Sequence, residues 1–148
     1  MRFSASIEYA IHGMVYLAVM KPAGAVLVRD IAKAIRVPES YLRKVFQLLV
    51  RAGLVASHRG AKGGFSLARD PGELTLRHVV EAIDGALPFY SCQKTTRGCS
   101  VIPICPVSEA FDAARQKMAE VLEATSIKVL AQGIAQRSAS WLTVTECA

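Results

Sequence analysis

Apolar residues recur at helical spacing from residue 6 to residue 20, with Ile7, Ala10, Ile11, Met14 and Ala18 along one side. Pro22 and Gly24 close that element. A short second helix is predicted from Arg29 to Ile35, where Ile31, Ala32 and Ile35 make one apolar face. Val37-Pro38 ends it and opens a third, because proline suits a first helical turn. The third helix runs to about Ala52, and Gly53 supplies a left-handed cap. The period then shortens. Leu54 to Ser57 reads as a strand, His58 to Gly64 as a glycine-rich turn, and Phe65 to Leu67 as the returning strand. Asp70-Pro71-Gly72 is a turn, and Thr75 is placed to cap a helix from about Leu76 to Asp84 that Gly85 closes. Residues 86–105 show no clear period. Pro106 opens a long helix, which Ile127 to Ile134 either continue or follow as a short separate one.

The third helix separates into two faces. Leu42, Val45, Phe46 and Leu49 lie on one side, for packing against the first two helices; Ser40, Arg43, Lys44, Gln47 and Arg51 lie opposite. Hydroxyl, guanidinium, ammonium and amide groups on one helix face bond base edges and phosphates in a major groove. The turn from His58 to Gly64 adds Arg59 and Lys62 on a backbone that approaches phosphates closely, and an arginine at such a tip suits a narrow minor groove. The plainer reading is an amphipathic helix beside a flexible hairpin with solvated charges. The order of elements nevertheless predicts a mainly α fold with a small β-wing. Its expected parts are a winged helix-turn-helix domain over residues 1–85, a cysteine-rich loop over 86–106, a dimerisation helix region over 107–135 and a tail over 136–148.

Charge sharpens this picture. Of the net +6, residues 1–70 carry eleven Lys/Arg against four Asp/Glu, a net +7, and residues 71–148 carry seven against eight, a net −1. A basic N-terminal half suggests a polyanion partner such as nucleic acid, bound with counterion release, with an ordinary solvated surface as the plainer reading. Together with the helix face and wing above, double-stranded DNA is the expected partner. A chain of 148 residues, 52% hydrophobic, supports one compact core and is no disordered tail. The uncharged run from Tyr9 to Met20 is too short to span a bilayer, and Glu8 and His12 interrupt what would otherwise mimic a signal peptide. No membrane association and a cytoplasmic location are expected. There is no GxGxxG turn, P-loop, CxxC pair or recognisable His/Asp/Ser set, so an enzyme is not expected.

Four cysteines remain: Cys92, Cys99, Cys105 and Cys147. With a large apolar core and no export signal, disulfide staples are not needed, and a cluster of thiols more often binds metal or senses redox state. The spacing of Cys92, Cys99 and Cys105 is unlike the paired arrangement of zinc ribbons. Three thiolates on one loop can hold three irons of a cubane and leave the fourth to another ligand. A metal-free thiol-redox or small-ligand sensor is the alternative, and a cluster-bearing redox enzyme or electron carrier a remote one.

Several stretches together resemble the bacterial IscR/NsrR family of winged-helix regulators: Asp30-Ile31-Ala32, Val37 to Leu42, Arg51 to Val55, Ser57-His58-Arg59-Gly60, Gly63-Gly64-Phe65 and Val79 to Gly85. The first helix, Tyr9 to Ala18, fits as well, and the similarity spans roughly residues 1–135. The resemblance implies that Ser40, Tyr41, Arg43, Lys44 and Arg59 meet DNA. IscR-type members often carry an acidic residue where Arg43 stands, so a different operator sequence is expected. The resemblance also implies an iron–sulfur cluster on Cys92, Cys99 and Cys105. IscR-type members place a histidine where this chain has Ser108, which favours 4Fe–4S over 2Fe–2S and the NsrR-like or iron-responsive members over IscR itself. Glu8 stands where NsrR-type members carry an acidic ligand donated by the partner subunit, and His12, one turn on, is a weaker alternative. The plainer readings are a surface ion pair of Glu8 with Arg2 or Lys94, and a core histidine. Cys147 lies outside the family pattern and is expected as a free thiol.

The stripe Phe111, Ala114, Met118, Val121, Leu122 and Thr125 is too apolar for a solvent-facing helix. Pairing in a homodimer would bury it, as in this family, with packing on its own domain as the alternative. Two recognition helices about 34 Å apart then imply a pseudo-palindromic operator. Nitric oxide, iron supply or redox state is the expected signal, and repression the expected output.

Overall fold

Six helices and one two-stranded sheet make up the computed structural model over residues 3–20, 24–60, 63–85 and 105–137, the residues described below. The first helix, α1 (Ala5–Met20), buries Ile7, Ala10, Gly13, Met14, Val15, Leu17 and Ala18. That is more than the single stripe its spacing predicted, and Ile11 on that stripe is only half-buried. The reason is its position: α1 runs through the middle of the molecule, with other elements against several of its sides.

Helix α2 (Val28–Ile35) points Val28, Ile31 and Ala32 inward. It ends at Arg36, whose φ of 56° and ψ of 48° are left-handed. The Val37 N–H donates to the Ala32 carbonyl at 3.0 Å and the Arg36 N–H to the Lys33 carbonyl at 3.3 Å, a Schellman ending that satisfies two terminal carbonyls. Helix α3 (Glu39–Arg51) starts at Pro38 and closes in the same way. There the Leu54 N–H reaches the Leu49 carbonyl and the Gly53 N–H the Val50 carbonyl, with Gly53 at φ 69° as its sequence position promised. The apolar face of α3 is fully inside: Leu42, Val45, Phe46 and Leu49 are at most 2% exposed. Each such side chain contributes about 1.5–3 kcal/mol through burial.

Strands β1 (Val55–His58) and β2 (Gly64–Leu67) pair antiparallel, with Val55 opposite Leu67 and His58 opposite Gly64. Val26 exchanges two backbone hydrogen bonds with Phe65, at 2.9 and 2.8 Å, so the chain entering α2 clamps β2 near the turn end of the hairpin. Gly64 is required for that clamp, since a Cβ there would run into the Val26 carbonyl and its φ is 151°. The Phe65 ring meets the Phe46 ring edge-on, 5.0 Å between centroids, which ties the wing to α3.

Thr75 caps α4 (Leu76–Asp84) in a reciprocal box: its hydroxyl accepts from the His78 N–H at 3.4 Å, and its own N–H donates to His78 Nδ1 at 3.1 Å. Helix α5 (Pro106–Ala124) buries none of its residues. The chain then breaks and restarts as α6 (Ile127–Arg137), which places Ile127 and Ala131 in the common core. At the break, the Leu76 N–H donates to the Thr125 carbonyl at 2.9 Å and the Ile127 N–H to the Leu74 carbonyl at 2.7 Å. Of the two alternatives for Ile127 to Ile134, the separate helix is therefore the one formed. Thr125, expected on the α5 stripe, instead stands just beyond it in extended conformation, its hydroxyl donating to the Val121 carbonyl at 2.8 Å. Among the described residues no buried side-chain polar atom lacks a partner, and no helix is long and apolar enough to cross a membrane.

Candidate nucleic-acid interface

Helix α3 projects its polar face outward because the opposite face is locked into the core. Ser40, Tyr41, Arg43, Lys44, Gln47 and Arg51 are all exposed. These are the positions expected to read DNA, and the fold brings them onto one helix. The Arg43 guanidinium is held by Glu39 at 2.6 Å, one turn earlier on the same helix. Both groups are about half exposed, so the pair is weak and is available for exchange against a phosphate or base. Lys44 has no acidic partner among the described residues.

Tyr41 does more than face the solvent. Its hydroxyl lies 2.7 Å from the Ser6 hydroxyl on α1, and its ring meets the Tyr9 ring edge-on at 5.5 Å. Ser6 and Tyr9 thus brace the first turn of the reading helix, a role that spacing could not disclose. Arg59 follows the last residue of β1 and is exposed. Gly60, at φ 106°, turns the chain after it, and the Gly63 N–H donates back to the Gly60 carbonyl at 2.9 Å. Lys62 lies outside the described residues. His58, at the strand end, bonds Ser66 across the hairpin at 2.9 Å and so stiffens the wing.

The expected metal ligands are only partly in view. Cys92 and Cys99 lie outside the described residues, as do Cys147, Arg2 and Lys94. Cys105 is a free, half-buried thiol immediately before α5. Glu8 is exposed and His12 half-buried, and both line a groove of about 390 Å³ with Phe3, Ser4, Ala5, Ile7 and Ile11. No ion pair is formed by Glu8 among the described residues, and no three potential metal-binding side chains converge among them.

On α5, Phe111 and Val121 are 40% and 65% exposed, Ala114 is exposed, and Met118 and Leu122 are half-buried. Among the described residues, α5 therefore keeps Ala114 and Val121 of this stripe on the surface.

The sequence profile of the Rrf2 family, described as an iron-dependent transcriptional regulator, matches residues 3–133. A helix-turn-helix-type transcriptional regulator of Aquifex aeolicus is 31% identical over 132 residues, covering 88% of this chain and 91% of its own length. The structure of CymR, described as the global cysteine regulator of B. subtilis, superposes with a TM-score of 0.76 at 26% identity. It covers 90% of this chain and 98% of its own. IscR of T. potens shares the fold with a TM-score of 0.73 at 24% identity, over 97% of this chain and 96% of its own. A helix with an exposed basic face, a two-stranded wing and a match along nearly the whole sequence agree: the chain belongs to the Rrf2 family and is a DNA-binding transcriptional regulator, not an enzyme.

Proposed function

We propose that the protein is a cytoplasmic, homodimeric repressor whose grip on a pseudo-palindromic operator is set by an iron–sulfur cluster. Cys92, Cys99 and Cys105 would hold the cluster, with Glu8 of the partner subunit as the remaining ligand and His12 as a weaker alternative. The donor set suits a 4Fe–4S cubane, to which it supplies three thiolates and one oxygen. When bound, the group supplies reactivity toward nitric oxide, iron loss or oxidation. The chain's own residues translate this signal: the segment carrying Cys105 leads directly into α5, and α1 carries both Glu8 and the Ser6–Tyr9 brace behind the reading helix.

The observation that carries this reading is the placement of Glu8. It stands exposed and unpaired among the described residues, two positions from the side chain that bonds Tyr41 of α3. A ligand that pulls on Glu8 therefore acts on a helix already bonded to the DNA-reading surface. Coupling of about 1–3 kcal/mol is ordinary for such a switch. The likeness to CymR, described as a cysteine regulator, favours a second reading in which the thiols sense redox state or a small thiol without metal.

Anaerobic purification separates the two. The first reading expects brown protein with about four irons per chain. It also expects operator affinity to change on exposure to nitric oxide or on removal of iron. Protein that stays colourless and iron-free after anaerobic reconstitution refutes ligation, and equal affinity of the two forms at one salt concentration refutes the switch.

A further inference from the structure

The two helices of the reading motif end alike, yet with opposite residue choices. Both α2 and α3 close in Schellman turns that require one left-handed residue. After α3 that residue is Gly53; after α2 it is Arg36. Arg36 is the only non-glycine residue with positive φ among those described. A side chain with a Cβ is strained there, and glycine is the usual solution. Nothing in the surrounding packing calls for an arginine: Arg36 is exposed and its side chain makes no ion pair among the described residues. The nearby carboxylates are already engaged, Asp30 with Arg29 and Glu39 with Arg43. Its charge is therefore uncompensated among the described residues.

Its place in the fold supplies a use for that charge. Arg36 lies four residues before Ser40, at the mouth of the reading helix, and one turn after Lys33, which is also exposed and unpaired among the described residues. In motifs of this type the first helix crosses the DNA backbone while the second enters the groove. The turn between them lies beside the phosphates, where cations fix register without reading sequence.

We propose that Arg36, held at the left-handed turn between α2 and α3, is a phosphate-binding residue of the DNA interface. The proposal rests on the DNA-reading face described above and adds to it a residue that the helix-face pattern does not include. It makes an unusual double demand. Removal of the side chain should relieve backbone strain and weaken binding together, whereas loss of an ordinary structural residue lowers both.

The test uses the full-length chain, a duplex selected from a random pool by the wild-type protein, and salt titrations followed by fluorescence anisotropy. Arg36→Gly should melt at a temperature above the wild type, bind roughly five- to tenfold more weakly at moderate salt, and lose about 0.9 from the slope of log affinity against log salt. Arg36→Asn, which tolerates the left-handed backbone without charge, should show the same loss. Arg36→Lys, which keeps the charge, should bind within about threefold of wild type at a nearly unchanged slope. Wild-type affinity and slope in both neutral variants overturn the proposal, and so does an Arg36→Gly protein that melts below the wild type. Arg59→Ala serves as the control. If it weakens binding while the Arg36 variants do not, only this proposal fails; if neither does, the reading surface itself is wrong.

Discussion

Tyr41 divides its work between two surfaces: part of its ring is open to solvent, while its hydroxyl is bonded to Ser6 and its ring packs T-shaped with Tyr9. The outward polar face of α3 was legible from spacing alone, because four buried apolar residues at helical intervals leave no freedom for the others. The Ser6–Tyr41 bond was not, since 35 positions separate the partners and neither residue type announces the other. Arg59 is the simplest residue on which to test the interface. It sits on the wing, apart from the core, so truncation should not disturb folding. Arg59→Ala is expected to weaken operator binding by about 1–3 kcal/mol with an unchanged melting temperature. An anisotropy titration at fixed salt that shows no loss would remove the wing from the interface.

At the scale of elements, the crossing of α1 and α3 decides the fold. Gly13 lies under the Phe46 ring, and a Cβ added there would stand 2.6 Å from Cε2. Phe46 is fully buried and also packs against Phe65, so the ring has little room to move. Glycine within a helix costs about 1 kcal/mol in propensity, and here close approach of two helices offsets that cost. Gly13→Val should therefore lower stability by about 2 kcal/mol or more through overpacking, read as a reduced urea midpoint with an unchanged slope. Stability equal to wild type would show that the crossing is looser than it looks. Element order, the Thr75 cap and the Gly53 ending were readable because each rests on local chemistry. The burial of α1 on several sides and the break before α6 were not. Both depend on which distant elements arrive, and Leu74 and Leu76 bind the Thr125–Ile127 junction from about fifty positions away.

Across the whole molecule, the unfinished surface is α5. This helix buries none of its residues and carries Phe111 and Val121 partly exposed, so it is where the proposed homodimer is tested. Phe111→Asp combined with Val121→Asp should give a monomer by sedimentation, with helix content retained because neither residue supports the core. Binding to a two-half-site duplex should fall by about a hundredfold, the order of the lost avidity. A dimer that survives both charges would place the interface elsewhere. The helix that carries the stripe was legible, Thr125 excepted; of the cysteines, only Cys105 has a described place in the fold.

The fastening of α5 at one end has a mechanical consequence. Its C-terminal end is stapled to the start of α4 through the Thr125 junction, and Arg77 and Glu123 meet nearby at 3.9 Å. Cys105 sits at the opposite end, 19 residues away, or about 28 Å along the axis. In the proposed cluster switch the helix would act as a lever with its fulcrum at the Thr125 junction, and a displacement of about 2 Å at the thiol would swing it by only about 4°. A turn that small would leave every core contact intact, yet in the homodimer proposed above it would re-aim both DNA-binding surfaces at once.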